Sequence, residues 1–184
     1  MKYLRRNAPW QRIVLVLMAA VIYSCSARAK FISKSDPNIA KLDRDAYLIE
    51  VSAIKKDFVH HNMFMLTVSN KGRAPLSIDW NRSGWFINGK DGGKFVFKDI
   101  SPADIKENKV GETIIQPDQI EKMEIAPLKL IAWIPLKYKT DRSGRAISAG
   151  MLPKGDHTIH LVLTQNGTTI NEKVDITILH EPIK

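Results

Sequence analysis

Apolar residues recur at every second position through most of the chain beyond residue 45, and this period restricts the available folds more than any other feature. Tyr47, Ile49, Val51 and Ala53 alternate with Leu48, Glu50 and Ser52, and Phe64, Leu66 and Val68 alternate with Met65, Thr67 and Ser69. In an extended strand successive side chains point to opposite faces, so each run describes a strand with one face toward a core. Helical spacing is nowhere sustained. The polar stretch 101–112 has room for one short helical turn.

Turn chemistry divides the remaining runs. Asn70, Lys71 and Gly72 close the second strand, and Leu76, Ile78 and Trp80 then share one face with Ser77 and Asp79 on the other. Trp85, Phe86 and Ile87 run into Asn88 and Gly89; Asp91, Gly92 and Gly93 read as a second turn, after which Phe95 and Phe97 flank Val96. Residues 113–116 form a brief strand stopped by Pro117, and 119–126 sends Met123 and Ile125 inward with Lys122 and Glu124 outward. Pro127 and Pro135 bracket the apolar run 128–134, which fits a sheet edge or crossover better than a central strand. The strongest local signal is Asn166-Gly167 between the strands 158–165 and 168–179, because both central residues of a type I′ hairpin need positive φ. About seven or eight strands with frequent turns imply an all-β fold, an antiparallel β-sandwich over residues 45–184. Cys25 is the single cysteine, so the inter-sheet disulfide of antibody domains is missing and the expected sandwich is immunoglobulin-like in architecture only.

Cys25 stands directly after the apolar run 13–24, which follows Lys2, Arg5, Arg6 and Arg12. A helix of that run spans about 18 Å, short of the roughly 30 Å of a bilayer core. The basic start, short apolar middle and small residue before Cys25 are the parts of an export signal. Residues 1–24 are expected as a lipoprotein-type signal peptide and 25–44 as a polar tether, the first half of it disordered. The apolar pairs Phe31 with Ile32 and Ile39 with Leu42 leave docking of the rest on the domain open. Ala27, Arg28 and Ala29 offer a second cleavage site, after Ala29, that would release a soluble periplasmic protein, and an uncleaved signal anchor is the third alternative. Residues 22–25, I-Y-S-C, resemble the lipobox of bacterial lipoproteins, with Tyr23 bulkier than the pattern usually carries. The resemblance implies transfer of diacylglycerol to the Cys25 thiol, cleavage before it and acylation of the new terminus by a chain of the palmitate class. Several acyl chains on one residue hold a protein stably where a single chain binds marginally. Ser26, in place of the aspartate that retains many such proteins in the inner membrane, favours the outer membrane.

Loss of the signal lowers the formal charge from +9 to about +5, because four basic residues and no acid leave with it. The remaining excess is spread along the chain, which argues against a nucleic-acid partner, whose sites gather basic residues on one face. Three further segments, 66–72 (LTVSNKG), 75–81 (PLSIDWN) and 92–97 (GGKFVF), resemble a group of uncharacterised bacterial envelope proteins, in which a W-N pair precedes a Gly-Gly turn and an aromatic strand. The resemblance implies a sandwich fold and an envelope location, and it carries no catalytic residues.

The residues themselves show little chemistry. His60 and His61 are adjacent and His157 and His160 are three apart, so on strands each pair points to opposite faces, and the usual zinc spacings are absent. No metal or cofactor is therefore expected. Asp91, Gly92 and Gly93 lack the repeated acids of a calcium loop. A G-x-S-x-G nucleophile elbow and a glycine-rich phosphate loop are missing as well. Trp80 alternates in phase with Leu76 and Ile78 and reads as core, and Asn81 reads as a turn residue bonding its own backbone.

The segment 136–154 reads as a long loop carrying Lys137, Tyr138, Lys139, Arg142, Arg145 and Lys154 against the one acid Asp141, with Trp133 nearby. Long loops in compact domains are functional or mobile, and a cationic loop with aromatics suits anionic lipid or an acidic envelope protein. The alternative is a solvated connection. The expected function is a non-enzymatic, lipid-anchored binding or adaptor module of the cell envelope, facing the periplasm. The competing expectations are a soluble periplasmic enzyme or metal-binding protein, and a soluble chaperone or inhibitor that pairs through strand edges.

Overall fold

The computed structural model describes residues 31–55, 59–97, 110–135 and 145–183, and within 132–148 the backbone alone. Its strands are β1 (Phe31–Asp36), β2 (Ala40–Asp43), β3 (Tyr47–Lys55), β4 (His61–Asn70), β5 (Leu76–Asp79), β6 (Gly84–Ile87) and β7 (Lys90–Gly93). They continue as β8 (Phe95–Phe97), β9 (Glu112–Ile115), β10 (Ile120–Pro127), β11 (Ile131–Pro135), β12 (Arg145–Ala149), β13 (Gly155–Gln165) and β14 (Thr168–Pro182), with a 3₁₀ turn over Leu128–Leu130. Every pairing is antiparallel.

Two sheets pack face to face. The first runs β1-β14-β13-β5-β9, with β6 also on β13 and β7 on β6; the second runs β2-β3-β4-β10-β8. Their inner faces share one core, in which Ile49, Val51, Phe64, Leu66 and Ile125 of the second sheet meet Ile78, Ile159, Leu161, Leu163 and Ile176 of the first. The period-two pattern was therefore sufficient for the all-β sandwich. It undercounted the strands, because fourteen are present among the described residues where seven or eight were expected. Short pairs such as β5 and β6 replace single long strands. Both lie along β13, β6 opposite His157–His160 and β5 opposite Leu163–Gln165. Between them the Ser83 hydroxyl accepts the Val162 amide at 2.9 Å, filling the gap in the ladder.

The tether expected over 25–44 differs in its second half. The compact unit runs Phe31–Pro182, so its boundary precedes the expected residue 45. β1 pairs along its length with the end of β14, Phe31 opposite Pro182 and Asp36 opposite Thr177, and β2 pairs with β3. The alternation there was hidden because β1 turns a serine inward. Ser33 is fully buried, and Ala40 is the buried residue of β2. Asp36–Pro37 is a cis peptide at the crossing between the two sheets.

Three turn assignments also change or sharpen. Asp91, Gly92 and Gly93 lie within β7, while the turn sits at Asn88-Gly89, both with positive φ (49° and 74°). A β-carbon at Gly92 would overlap the Trp85 indole, so this glycine lets the indole lie on the backbone of β7. The run 128–134 leaves the main sheets as the 3₁₀ turn and β11, which among the described residues pairs only with β12. The loop expected over 136–154 thus contributes β12, which pairs with β11 as a hairpin, Ile131 opposite Ala149 and Pro135 opposite Arg145. Asn166 and Gly167 have φ of 52° and 73°, the conformation required of a type I′ turn.

Candidate functional site

Among the described residues, three hydrogen-bonded polar clusters are buried. In the first, β1 meets the start of β4. The His61 amide donates to Ser33 Oγ at 2.7 Å, and Ser33 Oγ lies 2.9 Å from His61 Nδ1 and 3.3 Å from the Val59 carbonyl. Ser33 is fully buried and His61 is 6% exposed. Burial, helped by the charge of Lys55, pushes the His61 imidazole down to about 4, so it is neutral at pH 7. A serine hydrogen-bonded to a neutral histidine is the start of a nucleophilic pair, but this oxygen has no path to a substrate.

His157 forms the second cluster. Trp85 Nε1 donates to His157 Nδ1 at 2.9 Å, and His157 Nε2 lies 2.8 Å from the Pro153 carbonyl. Accepting at Nδ1 requires the neutral ring with its proton on Nε2. Burial lowers the pKa of this fully enclosed side chain, against the opposing pull of the Pro153 carbonyl and Asp156. Phe64 packs on the ring edge-on, with centroids 5.6 Å apart. His160, on the opposite face, makes a T-shaped contact with Phe86. The separation expected for residues three apart on a strand is what the sheet delivers.

The third cluster joins the sheets. Arg44 Nε and Tyr47 Oη donate to Glu172 Oε1 at 2.9 and 2.7 Å, and Arg44 Nη2 donates to Oε2 at 3.2 Å. Burial raises the Glu172 pKa, yet these hydrogen bonds outweigh it and hold the carboxyl below its usual range. Burial, and then the neighbouring carboxylate, push Tyr47 up to about 12. Nothing in the sequence spacing of residues 44, 47 and 172 announces this cluster.

Trp80 is core as expected, packed on Phe95 and Phe97 and donating from Nε1 to Thr113 Oγ1 at 2.8 Å. The turn beside it is made by Asp79, whose Oδ1 accepts the Asn81 and Arg82 amides. Asn81 instead donates from Nδ2 to the Val110 carbonyl. The role expected of Asn81 therefore belongs to Asp79, two residues earlier. Among the described residues no three His, Cys, Asp or Glu side chains gather as a metal would need.

No protein-family profile, curated protein or solved structure matches the chain. Its surface geometry is thus the material for a functional reading. On the outer face of the second sheet, Val96 and Ala126 lie opposite each other in the β8–β10 ladder and are 6% and 1% exposed. Beside them opens an apolar cleft of about 220 Å³, lined by Met63, Val96, Phe97, Ala126 and, from the β11–β12 excursion, Ile131 and Ala149, with Glu124 at its margin. A second, polar hollow of about 320 Å³ lies over β6 and β7, between Arg82, Phe86, Asp91, Lys94 and His160. Of the expected contact residues, Arg145 opens β12 at the distal end of the hairpin. Lys137, Tyr138, Lys139 and Arg142, like Cys25, lie outside the described residues.

Proposed function

We propose that the chain is a lipid-anchored protein of the bacterial cell envelope, held through Cys25, that works by binding and not by catalysis. The observation that carries the binding reading is the enclosure of the three hydrogen-bonded polar clusters. Ser33 and His157 are fully buried, and His61 and Glu172 are nearly so, each spending its polar atoms on neighbours within the fold. Ligand sites are concave and largely apolar with a few polar groups at the margin, a description that suits the cleft beside Val96 and Ala126. Its volume is below the roughly 300 Å³ where small-molecule sites begin. It therefore suits one apolar side chain of an envelope protein, offered by a partner that docks against the hairpin.

Two measurements test the two halves. Mass spectrometry of the mature terminus is expected to find an acylated Cys25, and an unmodified terminus at Lys30 overturns the anchor. A photo-crosslinking residue at Met63, in cells, is expected to give an adduct that one at Thr168 does not give and that Ala126→Trp abolishes. Equal adducts at both positions, indifferent to Ala126→Trp, would remove the cleft from the proposal.

A further inference from the structure

Phe31 is already in a strand, so only residues 26–30 separate it from Cys25. At no more than about 3.6 Å per residue, the six steps from Cys25 to Phe31 span at most roughly 20 Å. The expected tether to residue 44 would have allowed about three times that reach. A chain anchored at Cys25 therefore cannot hold the sandwich far from the bilayer, and the start of β1 decides which end faces it.

The contacts around Phe31 define that end. Phe31 stacks on His180, with centroids 4.0 Å apart, and lies 5.1 Å from the His60 ring. The Leu152 amide donates to the His61 carbonyl at 2.8 Å, and Asn62 Nδ2 donates to the Ala149 carbonyl at 3.3 Å. The start of β1, the start of β4, the end of β14 and the segment 149–154 are thus gathered together. Large apolar side chains are exposed there, Ile32 and Met151, each 38% exposed, and Leu179 at 37%. Lys55, opposite His61 in the β3–β4 ladder, and Lys154, just before β13, are exposed cations of the same end. Of its acids, Glu181 is paired with Lys34 at 2.6 Å, and Asp156 Oδ1 accepts from Thr177 Oγ1 at 2.8 Å.

We infer that this end of the sandwich is a docking surface for the anionic phospholipid headgroups of the membrane that holds the anchor, with Ile32 and Met151 at the interface and Lys55 and Lys154 against the phosphates. Short reach, exposed apolar side chains and a cationic rim point to the same occupant. Each basic residue near an anionic leaflet contributes, and the contribution fades within a Debye length. The opposite end, at the Asn166-Gly167 turn, is separated by the eleven residues of β13, about 36 Å, and points away.

The inference rests on the anchor proposed above, and one preparation separates the two. The full chain is expressed as Met151→Cys, as Ile32→Cys and as Thr168→Cys, purified from membranes and reconstituted into phosphatidylethanolamine–phosphatidylglycerol vesicles. A thioether at Cys25 leaves the introduced thiol as the one available to a fluorophore. Nitroxide-headgroup lipid is expected to quench the labels at 151 and 32 several-fold more than the label at 168. Lys55→Gln with Lys154→Gln, or phosphatidylcholine vesicles, is expected to reduce that contrast. An acylated Cys25 with equal quenching at all three positions overturns the docking surface and leaves the anchor standing. A contrast that ignores both the lysines and the lipid charge also overturns it. An unacylated terminus at Lys30 overturns both readings.

Discussion

His61 and His157 are neutral because the fold has taken their ring nitrogens out of water, and this sets a pH dependence. The unfolded chain binds a proton at each near pH 6.5, whereas folded His61 does so only near 4. Between these values the unfolded state carries more protons, so stability is complete above about pH 6.5 and falls as the pH drops toward 4. A series of melting curves from pH 7 to 4 is expected to show this loss, and His61→Gln is expected to flatten part of it. Trp85→Phe removes the donor to His157 Nδ1 and leaves a buried acceptor unpaired, at a cost of about 1–3 kcal/mol in chemical denaturation. Gly92→Ala is expected to cost more than Gly167→Ala by the same measurement. The first must displace the Trp85 indole, while the second meets no atom and bears only the strain of positive φ, about 1–2 kcal/mol.

At the scale of elements, the strands that hold the sheets together are those at the margins. β1 belongs to the first sheet but bonds through Ser33 to the start of β4 in the second. Arg44 and Tyr47, flanking the turn from β2 to β3, reach Glu172 on β14. Ser33→Ala leaves the His61 amide without its acceptor and is expected to destabilise by about 1–3 kcal/mol. Tyr47→Phe is expected to cost about 1–2 kcal/mol in the native background and markedly less once Glu172→Gln has removed the charged acceptor. Additive losses in that cycle would show the phenol and carboxylate to be independent. These margins are also where reading the sequence fell short. Strands β3, β4, β13 and β14 announce themselves because their inward residues are Ile, Val, Leu and Phe. β1 turns in Phe31 and Ser33, and a buried serine breaks the pattern unless its partner, 28 residues away, is known. The sequence places a turn at Gly92 for a related reason. A glycine opening a turn and one making room for a ring look alike until the ring's position is known.

For the whole molecule, one continuous core between the two sheets implies one cooperative unit. In a Trp133→Phe background without the first 24 residues, tryptophan fluorescence, reporting on Trp80 and Trp85, and far-ultraviolet dichroism are expected to give coincident unfolding transitions. Separate midpoints would mean that the sheets come apart independently. The architecture was legible as a sandwich because the period survives in enough strands. The grouping of Ile32, Met151, Lys55 and Lys154 at one end was not, since it depends on which strand ends the topology brings together.

The pairing of β1 with β14 also orders events in time. A chain made amino-terminus first presents β1 early, yet β14, the strand that completes its ladder, is the last of the described strands to emerge. Until then Phe31 and its neighbours have no native partner on that edge, and closing so distant a contact is slow. The segment that the proposed anchor would set nearest the bilayer is therefore the last to be secured. A chaperone that shields extended chain would find its longest opportunity there.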